Sequence, residues 1–189
     1  MNRNWLDINY LAKGNKRQKE CFKILSDLNI FTILSDYFPI LTGTIPINID
    51  IPESDLDVIC NVSDLDLFEK TARENYSHHE NFRQSLIDNI YIASFLYSGI
   101  EIEIYAQNKP TISQNAYIHM VIEHRILNIS GEMFRQKIIE LKKSGIKTEP
   151  AFGLLLNLTN PFDDLIMLSK LDDEQLTDFL NNRYPNTPY

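Results

Sequence analysis

The spacing of apolar positions changes character along the chain. From about Asn9 to Leu34, Cys21, Phe22, Leu25 and Leu28 recur at helical intervals among Lys16, Arg17, Lys19 and Glu20, which predicts a helix after a break at Gly14-Asn15. A short apolar run, Phe38 to Leu41, is followed by Ser54-Asp55-Leu56-Asp57-Val58-Ile59-Cys60, whose start alternates as a strand does. Asn61-Val62-Ser63 ends that strand, with Ser63 placed to cap a helix carrying Leu65, Leu67, Phe68 and Ala72 as far as Asn75-Tyr76. Asn89 to Tyr97 is rich in isoleucine and aromatics. Ser98-Gly99 then signals a two-residue hairpin, and Ile100 to Ala106 returns as its partner strand.

From Gln114 onward the pattern is helical. Tyr117, Met120, Val121, His124 and Leu127 form one stripe, and Asn115, His119 and Glu123 form a polar one at steps of four. A further helix near Gly131 to Ser144 ends in Lys142-Lys143-Ser144-Gly145, cations and glycine that suit a helix C-terminus. Thr148 is the expected cap of the next helix, with Pro150 in its first turn. Leucine-rich helices follow on either side of Asn160-Pro161, the last opening with Asp172-Asp173-Glu174, and the tail after Tyr184 is expected to fray. These elements predict an α+β fold: a small mixed sheet flanked by helices over residues 1–110, and a helical region over 111–189.

The chemistry concentrates between Leu41 and Cys60. On a strand, Asp55 and Asp57 project from one face while Leu56 and Val58 turn inward. Like charges held so close favour a cation between them, and an all-oxygen donor set suits a hard ion, Mg²⁺ above all. Glu101 and Glu103 alternate with isoleucines on the later strand, so either could supply a third carboxylate. Gly43 has no β-carbon to hold a phosphate away, and Thr44 adds a hydroxyl and an amide donor.

An apolar strand, Gly43-Thr44, about a dozen residues, Asp55-Leu56-Asp57 and then an acid on a later strand resemble the nucleotidyltransferase superfamily typified by DNA polymerase beta. The chain is also similar to an uncharacterised bacterial family of nucleotidyltransferase-like proteins. That similarity runs through Gly43-Thr44-Ile45-Pro46-Ile47, Ser54-Asp55-Leu56-Asp57, Glu103-Ile104-Tyr105-Ala106-Gln107, Gln114-Asn115-Ala116-Tyr117 with His119-Met120, and Lys147-Thr148-Glu149-Pro150-Ala151-Phe152. The resemblance implies a nucleotidyltransferase-like core with Asp55, Asp57 and Glu103 as catalytic, metal-holding residues for Mg²⁺ or Mn²⁺, two ions in all. It favours Glu103 over Glu101. Gly43, Thr44, Ser54 and Lys147 are then the candidate phosphate contacts, and Asn115, His119 and Gln107 the candidate substrate contacts.

The chain departs from the broader superfamily after Thr44. Ile45 to Ile51 reads as extended chain where a short helix is usual, and no Lys or Arg occurs between Lys23 and Lys70. The basic group Lys13, Lys16, Arg17 and Lys19 is either a solvated face or a substrate contact.

Composition narrows the function. At 43% hydrophobic and 23% charged residues the chain is an ordinary globular protein. A net charge of −8 argues against a broad nucleic-acid footprint, so the expected partners are a nucleoside triphosphate and a small-molecule or protein acceptor. The opening Met-Asn-Arg-Asn-Trp-Leu-Asp lacks the apolar core of a leader, and a cytoplasmic location is expected. Cys21 and Cys60 read as buried thiols, and His78-His79 as exposed. There is no Walker-type glycine loop, Cys-x-x-Cys pair or Gly-x-Ser-x-Gly elbow. The sequence leaves two functions open: a metal-dependent nucleotidyltransferase, or an inactive module of that fold binding a nucleotide or a partner protein.

Overall fold

The computed structural model describes residues 4–184, so the tail after Tyr184 lies outside the described residues. The chain forms two units. One takes the chain to Pro46 and then Glu53–Gln114; the other takes Ile47–Pro52 and the chain from Asn115 onward.

In the first unit, a 3-10 turn, Ile8–Lys13, precedes helix α1, Lys16–Asp27, and the short helix α2, Ile30–Ile33. Strand β1, Ile40–Thr42, and strand β2, Leu56–Asn61, are followed by α3, Leu65–Tyr76. Strands β3, Glu80–Ile87, β4, Ile90–Tyr97, and β5, Ile100–Gln107, complete a five-stranded sheet in the order β1-β2-β5-β4-β3. Only the β2–β5 pair is parallel. The α+β class and mixed sheet expected from the sequence are what the chain adopts.

Alternation sorts the side chains onto two faces. Leu41, Leu56, Val58, Cys60, Tyr91, Ala93, Phe95, Ile102 and Ile104 point to one core, where they meet Cys21, Leu25 and Leu28 of α1 and Phe68, Ala72 and Tyr76 of α3. Phe68 packs edge-on against Tyr91 at 5.5 Å, and Tyr76 stacks on Phe95 at 5.3 Å; each such pair adds about 0.5–1.5 kcal/mol to the area buried. Cys21 and Cys60 are both buried in this core. α3 is capped by Asp64, which accepts from the Leu67 amide at 3.0 Å, rather than by Ser63; Asp64 is the residue immediately before the first helical turn.

The Ser98-Gly99 hairpin forms with both residues at positive φ, as its turn type requires. Strand β3 was not foreseen. Its residues alternate weakly and are mostly exposed because it is an edge strand, and Asp88-Asn89, again both at positive φ, turn it into β4.

A second departure concerns the chain after Thr44. It runs in consecutive turns from Ile45 to Asn48, not as extended chain, with Asn48 at a φ of 61°. Ile45, Pro46, Ile47 and Ile49 are all buried, so apolar burial rather than strand pairing accounts for the isoleucines.

The second unit contains α4, Asn115–Lys143, α5, Thr148–Leu156, α6, Pro161–Leu168, and α7, Asp173–Arg183. α4 breaks at Gly131, whose φ of 78° is not helical. Arg135 donates to the Ile47 carbonyl at 2.6 Å and the Asn48 carbonyl at 3.1 Å, and Lys142 donates to the Ile49 carbonyl at 2.9 Å. Lys142, read from the sequence as a helix-dipole cation, is thus a buried structural donor. α5 begins at Thr148 with Lys147 at the capping position and no side-chain cap bond, so Thr148 is the first helical residue and not the cap.

The polar stripe of α4 faces inward at His119 and Glu123, while Asn115 at its start is exposed. Glu123 is 4% exposed, and its Oε1 has no hydrogen-bond partner among the described residues. Burial, then the neighbouring Glu149, push its carboxyl well above the usual range, against the pull of Lys142; Glu149 is itself 3.3 Å from His119 Nδ1. A carboxyl whose folded pKa is raised holds a proton that the unfolded chain releases, so its contribution is complete below about pH 4 and is lost as pH rises from there toward the folded value. Glu123→Gln is therefore expected to flatten the fall of Tm with rising pH and to raise Tm at pH 8 by about 2–4 °C, the equivalent of about 1 kcal/mol for a chain of this size. An unchanged slope of Tm against pH would assign the titration elsewhere.

Candidate functional site

Parallel pairing of β2 with β5 aligns Asp57 with Glu103. Adjacent strands are about 4.8 Å apart, and in-register residues share a face, so these two carboxylates leave the sheet side by side, opposite the helix-covered core. The same row continues through Thr42 on β1, Ser94 on β4 and Arg83 on β3. Asp55 stands two residues before Asp57, just ahead of the strand, and is exposed.

The electrostatics follow from this row. Burial, then the charges of Asp55 and Glu101, push the Glu103 carboxyl above its ordinary range, with Arg83 pulling the other way. Arg83 is ion-paired with Glu101. Of the two acids on β5, Glu101 is therefore tied to a cation, while Glu103 sits opposite Asp57.

Gly43 follows β1 with a φ of 80°, a conformation that costs any residue with a side chain. It is required a second time by space, because a β-carbon there would collide with Oδ2 of Asp57. Thr44 Oγ1 and Ser54 Oγ share a hydrogen bond at 3.1 Å, which ties the glycine turn to the residue before Asp55. Of the four residues expected from the sequence to contact phosphate, Gly43, Thr44 and Ser54 are thus neighbours, and Lys147 is at the start of α5.

α1 supplies what the segment from Lys23 to Lys70 lacks. Arg17, half-buried in the first turn, donates to the Ser54 carbonyl at 3.4 Å, so a guanidinium lies beside the acidic segment, while Lys13, Lys16 and Lys19 are exposed. Next to it, Gln18 is buried and donates to the Ile45 carbonyl at 2.8 Å and the Pro46 carbonyl at 3.2 Å. Sequence reasoning passed over Gln18. The signal was present, since an Asn followed three residues later by Gln is a capping-box pattern.

The remaining candidates are distributed differently. Gln107 ends β5 with its side chain partly exposed, and its carbonyl accepts the amides of Val62 and Lys109 at 2.9 Å each. Asn115 and Lys147 are exposed at the starts of α4 and α5. His119 is 8% exposed and engaged at both ring nitrogens: Nε2 lies 3.0 Å from the Phe162 carbonyl, and Nδ1 lies 3.3 Å from Glu149 Oε1.

The donors on the acidic face are all oxygens, and the charge that Asp55 imposes on Glu103 is what a hard cation would relieve, so the chemistry fits a divalent ion. Among the described residues, however, no three His, Cys, Asp or Glu side chains are gathered into a ligand set. Also among the described residues, no helix is long and apolar enough to cross a membrane.

Solved structures share this fold. Cid1, described as an RNA terminal uridylyl transferase, superposes with a TM-score of 0.56 at 10% identity over 85% of this chain and 53% of its own. Cid1 described as a poly(U) polymerase, bound to Mg and 3'-dATP, gives 0.58 at 13% identity over the same shares. The GLD-2/RNP-8 complex gives 0.54 at 13% identity over 96% of this chain and 72% of that one. The chain thus spans about half the length of Cid1, and at these identities the likeness is one of nucleotidyltransferase-like fold. No curated protein matches the sequence. Residues 23–168, which include β1, β2, β5 and every acid of the candidate site, match the family described as domain of unknown function DUF4269, and the chain belongs to that family.

Proposed function

We propose that this protein is a metal-dependent nucleotidyltransferase that moves a nucleoside monophosphate from a nucleoside triphosphate to a hydroxyl acceptor. The observation that carries the reading is the in-register placement of Asp57 and Glu103 beside a glycine turn that leaves no room for a β-carbon. Asp55, Asp57 and Glu103 would hold Mg²⁺ or Mn²⁺, two ions in the full site, which when bound would neutralise the phosphates and lower the pKa of the acceptor hydroxyl.

The chain's own groups have distinct parts. The turn at Gly43 and Thr44 brings backbone amides and a hydroxyl to the phosphates, steadied by Ser54, and Arg17 supplies positive charge where the acidic motif has none. Glu103, aligned with Asp57, would hold the second ion and so help activate the acceptor. The Lys147 and Asn115 side chains are exposed and that of Gln107 is partly so. A contact from His119 would require one of its two ring nitrogens to leave its present partner. The neighbours named for uridylyl transfer to RNA and for poly(U) synthesis make an RNA 3′ end an acceptor to set beside amino alcohols and protein side chains, despite the net charge of −8.

A second reading, an inactive module that binds a nucleotide or a partner protein, is favoured by the absence of a gathered three-residue ligand set among the described residues. The two readings separate when the purified chain is incubated with Mg²⁺ or Mn²⁺, each labelled nucleoside triphosphate and the three acceptor classes. Pyrophosphate release that falls by about 10²–10³-fold in Asp55→Ala/Asp57→Ala supports transfer. Nucleotide binding with pyrophosphate no higher than in that variant supports the module, and inorganic phosphate in place of pyrophosphate indicates a phosphohydrolase. Gly43→Ala is expected to lower stability by about 1–2 kcal/mol through its positive φ, and to abolish metal-dependent nucleotide binding by displacing the Asp57 carboxylate. Thermal melts paired with binding isotherms check it, and wild-type affinity in Gly43→Ala would remove Gly43 from the site.

A further inference from the structure

We infer that Gln18 is a positioning residue that holds the turn at Gly43 and Thr44 in place against the acidic strand. The inference rests on the transferase reading only for what the turn does, not for the clamp itself.

The side-chain amide of Gln18 is fully used in two directions. Its oxygen accepts the Asn15 amide at 3.1 Å, closing the capping box in which Asn15 Oδ1 accepts the Gln18 amide at 2.8 Å. Its two N–H groups reach out of the helix to the Ile45 and Pro46 carbonyls, which follow directly on Gly43 and Thr44. The adjacent Arg17 holds the Ser54 carbonyl, the residue before Asp55. One turn of α1 therefore grips the chain just after the glycine and just before the first aspartate. The Thr44–Ser54 hydrogen bond closes the circuit between the two points.

Space around Gln18 is reserved for it. Gly14 has an ordinary φ, yet a β-carbon there would collide with Gln18 Oε1 and come within 2.9 Å of its Cβ. The glycine that marks the start of the helix in the sequence thus leaves room for the clamp, as Gly43 leaves room for the Asp57 carboxylate. Burial adds to the constraint. The Ile45 and Pro46 carbonyls meet Gln18 in a dry setting, where donors lost from a buried acceptor are not replaced by water.

Capping and clamping use different atoms of the same amide, so substitution separates them. Gln18→Glu keeps an oxygen for the Asn15 amide and suits the third position of a capping box, but at pH 8 it cannot donate to either carbonyl. Asn15→Ala loses the cap and leaves both donations intact. The expected result is that Gln18→Glu speeds hydrogen exchange at Gly43, Thr44, Ile45, Ser54 and Asp55 by about tenfold while sparing α1, and that Asn15→Ala does the reverse. In the transfer assay, Gln18→Glu should lower kcat with KM little changed, because the amides that face the reacting phosphate are mispositioned rather than removed.

Exchange that rises equally in α1 and the turn for both variants would reduce Gln18 to a helix cap and overturn the inference. Should Gln18→Glu fail to fold, Asn15→Ala alone still decides, because exchange that rises in the turn as well as in α1 when only the cap is lost overturns the inference. Because exchange is read without substrate, a wild-type chain that shows the expected exchange pattern but transfers no nucleotide overturns the transferase reading and leaves the clamp standing.

Discussion

The parallel register between β2 and β5 is the constraint on which the acidic face depends. A slip of one residue on either strand would send Asp57 or Glu103 into the apolar core and bring an isoleucine or valine out in its place. That alternative is costly in both directions: a carboxylate would be buried without partners and a branched side chain exposed. The hydrophobic alternation of Leu56-Asp57-Val58 and Ile102-Glu103-Ile104 therefore sets the site geometry as a by-product of forming the core. The acidic row needs no separate folding signal.

The same logic decides what can be read from the residues alone. Period-2 alternation made β2, β4 and β5 legible, and the Ser98-Gly99 turn set the pairing of the last two. β3 escaped because an edge strand has little to bury and so little pattern to show. The turns from Ile45 to Asn48 were misread as extended chain because their isoleucines alternate as in a strand, although what holds them is burial and side-chain donors to their carbonyls. Asp57 and Glu103 could be placed on one face from alternation alone, whereas Asp55, expected on the strand with them, stands just ahead of it. Their alignment across the sheet could not, since it depends on a long-range pairing. Gln18 was hidden for a similar reason. Its helix role is local and visible, but its second role reaches 27 residues along the chain.

Polar residues inside the second unit were legible only in part. Asn115, His119 and Glu123 do share a helical stripe, yet two of the three point into the protein, where His119 meets Glu149 and the Phe162 carbonyl. Helical spacing fixes which residues lie together, not which side is wet. The stripe beside it, with Met120 and Leu127, is buried as well, so α4 is enclosed on more than half its circumference and periodicity loses its contrast.

Charge on the sheet face shows how the fold accommodates a site that disfavours itself. Asp55 and Glu101 each repel Glu103, and Asp57 is aligned with it. Part of that repulsion is offset at the edge, where Arg83 pairs with Glu101 and lies in the same row as Asp57 and Glu103. The offset is incomplete, because Glu103 remains shifted upward with Arg83 in place. An edge arginine answers Glu101, yet Glu103, aligned with Asp57 and acted on by Asp55, stays shifted upward, and a cation at this face would relieve that shift.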